Sequence, residues 1–135
     1  HPTMLYVSRT RHRVRSYELD AYGHVNNAVY MQWLEHGRSR LLQDKGFDYN
    51  NIEERWGVRF VTASTKIDFH IGLHLDDDLE FTTTIARIGT TSVTLDQRIG
   101  RGDEVAASCQ TVIVFTDPSM TAAVPIPEEF KELYA

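Results

Sequence analysis

The sequence predicts an α+β domain, a curved antiparallel sheet of about five strands wrapped around one long helix. Two patterns and one length carry this. Residues 27–45 place Tyr30, Leu34, Gly37 and Leu41 on one stripe at helical spacing. From Thr65 onward the spacing changes to alternation, in four successive runs. The whole chain has 135 residues, enough for one core and short for two, so a single domain over 1–135 is expected. The helix would be roughly 28 Å long at 1.5 Å per residue. An eleven-residue strand spans about 36 Å, so strands long enough to wrap the helix lengthwise give the simplest two-layer solution.

The first strand is expected from about Tyr6 to Tyr17, a stretch rich in arginine (Arg9, Arg11, Arg13, Arg15). A turn-rich segment, Asp20-Ala21-Tyr22-Gly23-His24, follows. The helix then runs from Asn27 to Lys45. Asn26 is a good N-cap, Lys45 suits the last turn, and Gly46 is a good terminator. Ala28, Val29, Met31 and Trp33 widen its apolar part, so it should be largely buried. Gly37 inside a helix costs up to ~1 kcal/mol against Ala, which makes sense where another backbone passes close by.

In the next run Thr65, Ile67, Phe69 and Ile71 alternate with Lys66, Asp68 and His70. Leu79, Phe81, Thr83 and Ile85 form another alternating run. Val93, Leu95 and Ile99 mark a third, and Val105, Ala107, Cys109, Thr111, Ile113 and Phe115 share one face of a fourth. Gly100-Arg101-Gly102-Asp103 reads as the turn joining the last two, and Asp117-Pro118 ends the sheet. Pro127 opens a short terminal helix through Tyr134, with Glu128 and Glu129 in its first turn.

Composition narrows the function classes. Fourteen Lys+Arg stand against 19 Asp+Glu, a formal charge of −5. An acidic domain is a poor general binder of nucleic acid, although a local basic patch stays open. No uninterrupted apolar run approaches the ~20 residues of a membrane helix. The single cysteine, Cys109, excludes an internal disulfide and any multi-cysteine metal site, and it suits a reducing compartment. Cys109 itself reads as a small buried apolar residue. The start carries no signal-peptide pattern. His1, Pro2 and Thr3 precede Met4 and read as a remnant of expression or of processing; both readings stand. Neither a Gly-rich phosphate loop nor a Gly-x-Ser-x-Gly nucleophile elbow is present.

The chemistry-bearing stretch is Tyr17 to Tyr30, continuing through Trp33-Leu34-Glu35-His36-Gly37-Arg38. It sets a carboxylate, a glycine turn, an imidazole and two amides just before the helix. A helix start offers free N–H groups and positive dipole character, which can polarise a carbonyl or hold an oxyanion. The intervening turn could fold Asp20 back toward that point. The plain alternative is that Asp20 and Asn26 only satisfy turn backbone and cap the helix. A metal site is not expected: on a continuing strand His70 and His74 would lie roughly 13 Å apart, too far to share a zinc ion.

Asp20, Gly23, His24, Val25, Asn26, Asn27, Tyr30, Glu35 and Arg38 together resemble the signature of the hot-dog-fold acyl thioesterases. This is the 4-hydroxybenzoyl-CoA thioesterase family in the broad sense, with bacterial long-chain acyl-CoA and plant plastid acyl thioesterases among its members. The resemblance covers nearly the whole chain, since a strand, a long helix and four strands is that fold's order. It implies hydrolysis of an acyl thioester, on CoA or an acyl carrier protein, within fatty acid metabolism and without a cofactor. Asp20 would be nucleophile or general base, and the backbone N–H of Asn27 would polarise the carbonyl. His24 is assigned to the catalytic set, with turn packing as its alternative. Asn26 and Tyr30 are assigned to substrate binding, with a core role as the alternative for Tyr30. Glu35 and Arg38 are expected to pair along the helix. Arg59, Lys66, Arg87, Arg98 and Arg101 are unranked candidates for the CoA phosphates.

The resemblance further implies a homodimer joined edge to edge, or a homotetramer, and a cytoplasmic protein, or a plastid stromal one if the chain is a processed form. The sequence departs from the family at His70-Ile71-Gly72-Leu73-His74-Leu75-Asp76-Asp77-Asp78, where relatives often carry Pro and Gly-Asp. The rival functions are acyl-thioester hydration or dehydration on the same fold, and a non-catalytic acyl-binding module. The first lacks its Asn-Pro-x-His motif ending here, and a carboxylate at Asp20 speaks against the second.

Overall fold

The computed structural model describes residues 5–135, so the His1–Thr3 segment lies outside the described residues. The chain folds as β1 (Val7–Arg13), a single 3-10 turn (Ser16–Glu18), α1 (Asn27–Gln43), α2 (Tyr49–Trp56), β2 (Arg59–Phe69), β3 (Asp78–Ile88), β4 (Ser92–Arg101), β5 (Glu104–Thr116) and α3 (Glu128–Tyr134). The five strands make one antiparallel sheet in the order β1-β3-β4-β5-β2. This is the expected α+β architecture, with α1 against one face of the sheet.

Several boundaries differ from the sequence reading. The first strand ends at Arg13 rather than near Tyr17, because residues 16–18 turn and bury Glu18. Helix α1 begins at Asn27 behind the Asn26 cap, as expected, but ends at Gln43. Gly46 follows with φ +85°, and Phe47 N–H donates to the Leu42 carbonyl. The helix is buried on one side only: Tyr30, Trp33, Leu34, Gly37, Leu41 and Leu42 face inward, while Ala28 and Met31 are exposed. Helix α2 was not expected. It is held at its start by Asp48, whose carboxylate accepts from the backbone N–H of Asn50 and Asn51, and it buries only Ile52 fully. Tyr49, Ile52 and Trp56 do fall on one stripe at i, i+3 and i+7, but that signal is only two turns long.

Strand β2 starts at Arg59, six residues before the alternation seen in sequence, because an irregularity between Thr62 and Ser64 breaks the period. The β4–β5 turn is Gly102-Asp103 alone, with Gly102 at φ +59°; Gly100 and Arg101 stay in β4. A register shift between Ile99 and Gly100 turns Val105 outward and Ala106 inward, contrary to the expected alternation there. Ala107, Cys109, Thr111, Ile113 and Phe115 are buried as read.

The core is in two parts. Around the first half of α1 pack Val14, Val25, Trp33, Leu73, Phe81 and Ile99. Around its end pack Leu41, Leu42, Ile85, Val93, Phe115 and Phe130. A polar belt crosses the middle of the sheet between them: Thr83 on β3, Gln97 on β4 and Thr111 on β5, all buried. Gln97 Nε2 donates to the Leu34 carbonyl (2.8 Å) and to Thr83 Oγ1 (3.1 Å), while its Oε1 accepts from Arg38 Nη1 (3.1 Å) and Thr111 Oγ1 (3.5 Å). Every polar group in the belt therefore has a partner, which is the condition for burying it. Helix α3 closes the second half: the Tyr134 hydroxyl donates to the Leu42 carbonyl at 2.8 Å.

Candidate active site

The segment between β1 and α1 forms a closed loop. Leu19 bridges Val25, Asn26 N–H donates to the Glu18 carbonyl (3.0 Å), and Asp20 N–H donates to the His24 carbonyl (2.7 Å). Gly23 stands at φ +79°, a conformation costly for any residue with a Cβ. Within the loop Asp20 Oδ1 accepts from the N–H of Tyr22 (2.8 Å) and of His24 (3.1 Å). These bonds orient the exposed carboxylate and use one of its two oxygens; Oδ2 makes no side-chain hydrogen bond among the described residues.

Asn26 caps the helix from an extended conformation (φ −63°, ψ 134°), its Oδ1 accepting from Ala28 N–H at 2.9 Å. Asn27 is the first helical residue, and its N–H has no hydrogen-bond partner among the described residues. It is one of the orphan donors at the positive end of a seventeen-residue helix.

A surface hollow of about 320 Å³ gathers Asp20, His24 and Asn27 with Tyr30, Phe69, His70 and Gly72. Four of the five expected site residues thus line one hollow. The fifth, Asn26, is absent from its lining, and its side-chain oxygen serves the cap. Tyr30 is buried, with its ring 5.3 Å from Trp33 and 5.0 Å from Phe69, and burial pushes its hydroxyl pKa up. His24 packs its ring 4.9 Å from His74 and lies against Gly72. His70 instead meets Ser108 Oγ at 2.9 Å. Among the described residues no three His, Cys, Asp or Glu side chains are placed to share a metal ion.

A second cavity, about 340 Å³ and mostly apolar, lies at the other end of α1. Leu41, Tyr49, Phe60, Val93, Leu95 and Phe115 are among its walls, with Glu35 and Arg38 beside them. The expected Glu35–Arg38 pair does not form; Arg38 reaches down to Gln97 on the sheet. Of the phosphate candidates, Arg59 is paired with Glu53 (2.6 Å) and Arg101 with Asp77 and Glu104 (3.0 Å each), while Lys66, Arg87 and Arg98 are in no ion pair among the described residues.

Sequence reasoning missed Glu18, a buried carboxylate two residues before Asp20. Burial alone would push its pKa up, but hydrogen bonds from His12, the Arg15 N–H and the Trp33 indole outweigh this and hold it below the ordinary carboxylate range. Its nearness to Asp20 was the one available sign. Among the described residues no helix is long and apolar enough to cross a membrane.

Comparison with known proteins identifies relatives in sequence and in fold. The family model of the thioesterase-like superfamily matches residues 14–133. The long-chain acyl-CoA thioesterase FadM of Escherichia coli is 29% identical over 130 residues, covering 92% of this chain and 94% of that protein. The acyl-CoA thioesterase YbgC of Haemophilus influenzae is 25% identical over 122 residues, 90% of each. The crystal structure of YbaW, a probable thioesterase from Escherichia coli, superposes with a TM-score of 0.79 at 28% identity, covering 92% of this chain and 93% of that one.

Proposed function

This chain belongs to the thioesterase-like superfamily, it acts by hydrolysing an acyl thioester to free acid and thiol, and we propose that the hollow at Asp20 is where it does so. One observation carries the assignment: a carboxylate with a free oxygen and an unpartnered helix-start N–H line the same hollow. The thioester carbonyl oxygen would sit at the Asn27 N–H. Asp20 Oδ2 would attack the carbonyl carbon, or take a proton from a water that does so. Either route forms a C–O bond and moves an electron pair to the carbonyl oxygen, where the N–H and the helix dipole stabilise it. The pair then returns, the C–S bond breaks and the thiolate leaves. On the water route it takes back the proton that Asp20 removed. On the direct route a water then splits the acyl–Asp20 anhydride, releasing the free acid, restoring the carboxylate and supplying the thiolate's proton. His24 stands beside Asp20 to hydrogen-bond substrate or water.

The acyl group fits the apolar cavity at the far end of α1. The two edges of the sheet differ in length and charge. Strand β2 is an eleven-residue edge strand, while the other edge, β1, has seven residues and carries Arg9, Arg11 and Arg13. Charged, short edges resist pairing and long ones invite it, so a second copy would join at β2. In a two-fold pair centred near Ser64, the Phe60 end of one strand lies beside the Phe69 end of the other. That arrangement would bring the apolar cavity of one copy toward the Asp20 hollow of the other. The lone buried thiol, Cys109, suits a reducing compartment such as the cytoplasm or plastid stroma.

The test is Asp20→Asn, which keeps the turn's acceptor and removes the base. Thiol release from a panel of acyl-CoA and acyl-carrier-protein thioesters should fall ~10²–10⁴-fold. Near-wild-type turnover by the folded variant would remove Asp20 from the mechanism. Unimpaired acyl-CoA binding without any thiol release by the wild type would favour the binding-module rival.

A further inference from the structure

Glu18 is 7% exposed, and its carboxylate gathers donors from three parts of the chain. Its Oε1 accepts from the Arg15 N–H (2.7 Å), and its Oε2 accepts from Trp33 Nε1 on α1 (2.7 Å). His12 Nε2, on β1, lies 2.9 Å and 3.1 Å from the two oxygens. The His12 ring is itself packed against both Trp33 and Phe81, at centroid distances of 5.3 Å and 5.5 Å, and those two rings touch each other at 5.4 Å.

The backbone of the same residue closes the loop described above. The Glu18 carbonyl accepts from Asn26 N–H, and its neighbour Leu19 bridges Val25. Asp20 stands at one end of that loop and Asn27 just past the other. Glu18 therefore ties the Asp20 side of the loop to α1 through its side chain and the Asn27 side through its main chain.

We propose that Glu18 is a positioning residue for hydrolysis, its strut to Trp33 and His12 fixing the spacing between the Asp20 carboxylate and the Asn27 N–H. This rests on the reading of the hollow as the hydrolytic site. A carboxylate is the suitable group because it is acceptor-only on both oxygens. It can take the Arg15, Trp33 and His12 donors at once, whereas an apolar side chain would leave buried N–H groups unpaired. Precision matters because a misplacement of about 1 Å between reacting groups can cost ~10²-fold in rate.

The experiment compares Glu18→Gln, Trp33→Phe, the double variant and Asp20→Asn, with matched circular dichroism and oligomeric state. The amide of Glu18→Gln has one oxygen, so its NH₂ must face an N–H donor. Its kcat should fall about tenfold or more with KM changed less than about twofold, since the group acts on geometry rather than on binding. Trp33→Phe should lower kcat in the same way, and the double variant should be no worse than about the poorer single, because both break one strut. Wild-type kcat in Glu18→Gln beside an inactive Asp20→Asn would overturn the proposal and leave the hydrolytic site standing. Full activity in Asp20→Asn would overturn both. If Glu18→Gln does not fold, Trp33→Phe decides alone, and an unchanged kcat there, or single effects that multiply in the double variant, overturns the strut.

Discussion

A Cβ placed on Gly37 would lie 2.8 Å from Thr83 Oγ1. Helix α1 thus rests directly on the polar belt of the sheet, and the same Cβ would meet Gln97 Nε2 at 3.1 Å. The close approach that Gly37 suggested in sequence is real, but side-chain oxygen and nitrogen, not backbone, are what approach.

Gly37→Ala should therefore destabilise the fold. Helix propensity favours alanine by about 1 kcal/mol. Displacing two side chains that bond each other and the Leu34 carbonyl should cost more, on the order of 1–3 kcal/mol. Urea unfolding with an unchanged m-value is the measurement; a raised midpoint would mean the belt yields freely.

Asn27→Pro and Asn27→Ala separate the backbone from the side chain at the helix start. Proline is tolerated at the first helical position, and Asn26 already has the extended angles that a residue before proline prefers. The proline variant should fold and lose ~10²–10³ in turnover by deleting one oxyanion donor. The alanine variant keeps the N–H and should lose far less. Equal damage in the two would move the role to the Asn27 side chain, and full activity in both would move the oxyanion site elsewhere.

Val93→Phe should fill the cavity at the end of α1 without reaching the Asp20 hollow, since Val93 lines only the former. The ratio of kcat/KM for hexadecanoyl-CoA over butanoyl-CoA should drop about tenfold or more, each lost methylene contact being worth roughly 1 kcal/mol or more. An unchanged ratio would mean that the acyl chain lies elsewhere.

Acid should loosen α3 through Glu129. Hydrogen bonds from Arg55 and then from the Trp56 indole hold its pKa at about 2, against an ordinary 4.5. A lowered folded-state pKa gives stability that is present above 4.5 and is lost as pH falls toward 2. Thermal melts from neutral to acid should show wild type losing its advantage over Glu129→Gln across that window. A constant difference at all pH values would show that the carboxylate's charge plays no part.

Much of this architecture was legible because local rules and tertiary packing agree. Asn26 caps, Gly46 stops, and β3 as far as Ile85 and β4 as far as Ile99 alternate with one face buried. The misses have physical causes. Helix α2 has Tyr49, Ile52 and Trp56 on one stripe between Asp48 and Gly57, but two turns are too short for the period to stand out from a loop. The early part of β2 is hidden by an irregularity that shifts its phase. Glu35 and Arg38 have the right spacing to pair, but Gln97, distant in sequence, supplies a partner that helix geometry cannot foresee. For the site, Asp20, Gly23 and Asn26 declare themselves through turn and cap chemistry, whereas Glu18 takes its meaning from His12 and Trp33, which only folding brings to it.

The belt of Thr83, Gln97 and Thr111 also bears on how such a molecule can change over generations. Polar side chains at fixed positions stand between the packing around the Asp20 loop and the packing around the acyl cavity. A swap of size among Val93, Leu95 or Phe115 is absorbed on its own side, because hydrogen-bonded groups resist sliding where alkyl groups would readjust. Substitutions on the two sides should then act nearly additively. Descendants could try new acyl groups by remodelling one compartment while inheriting the bond-breaking apparatus of the other unaltered.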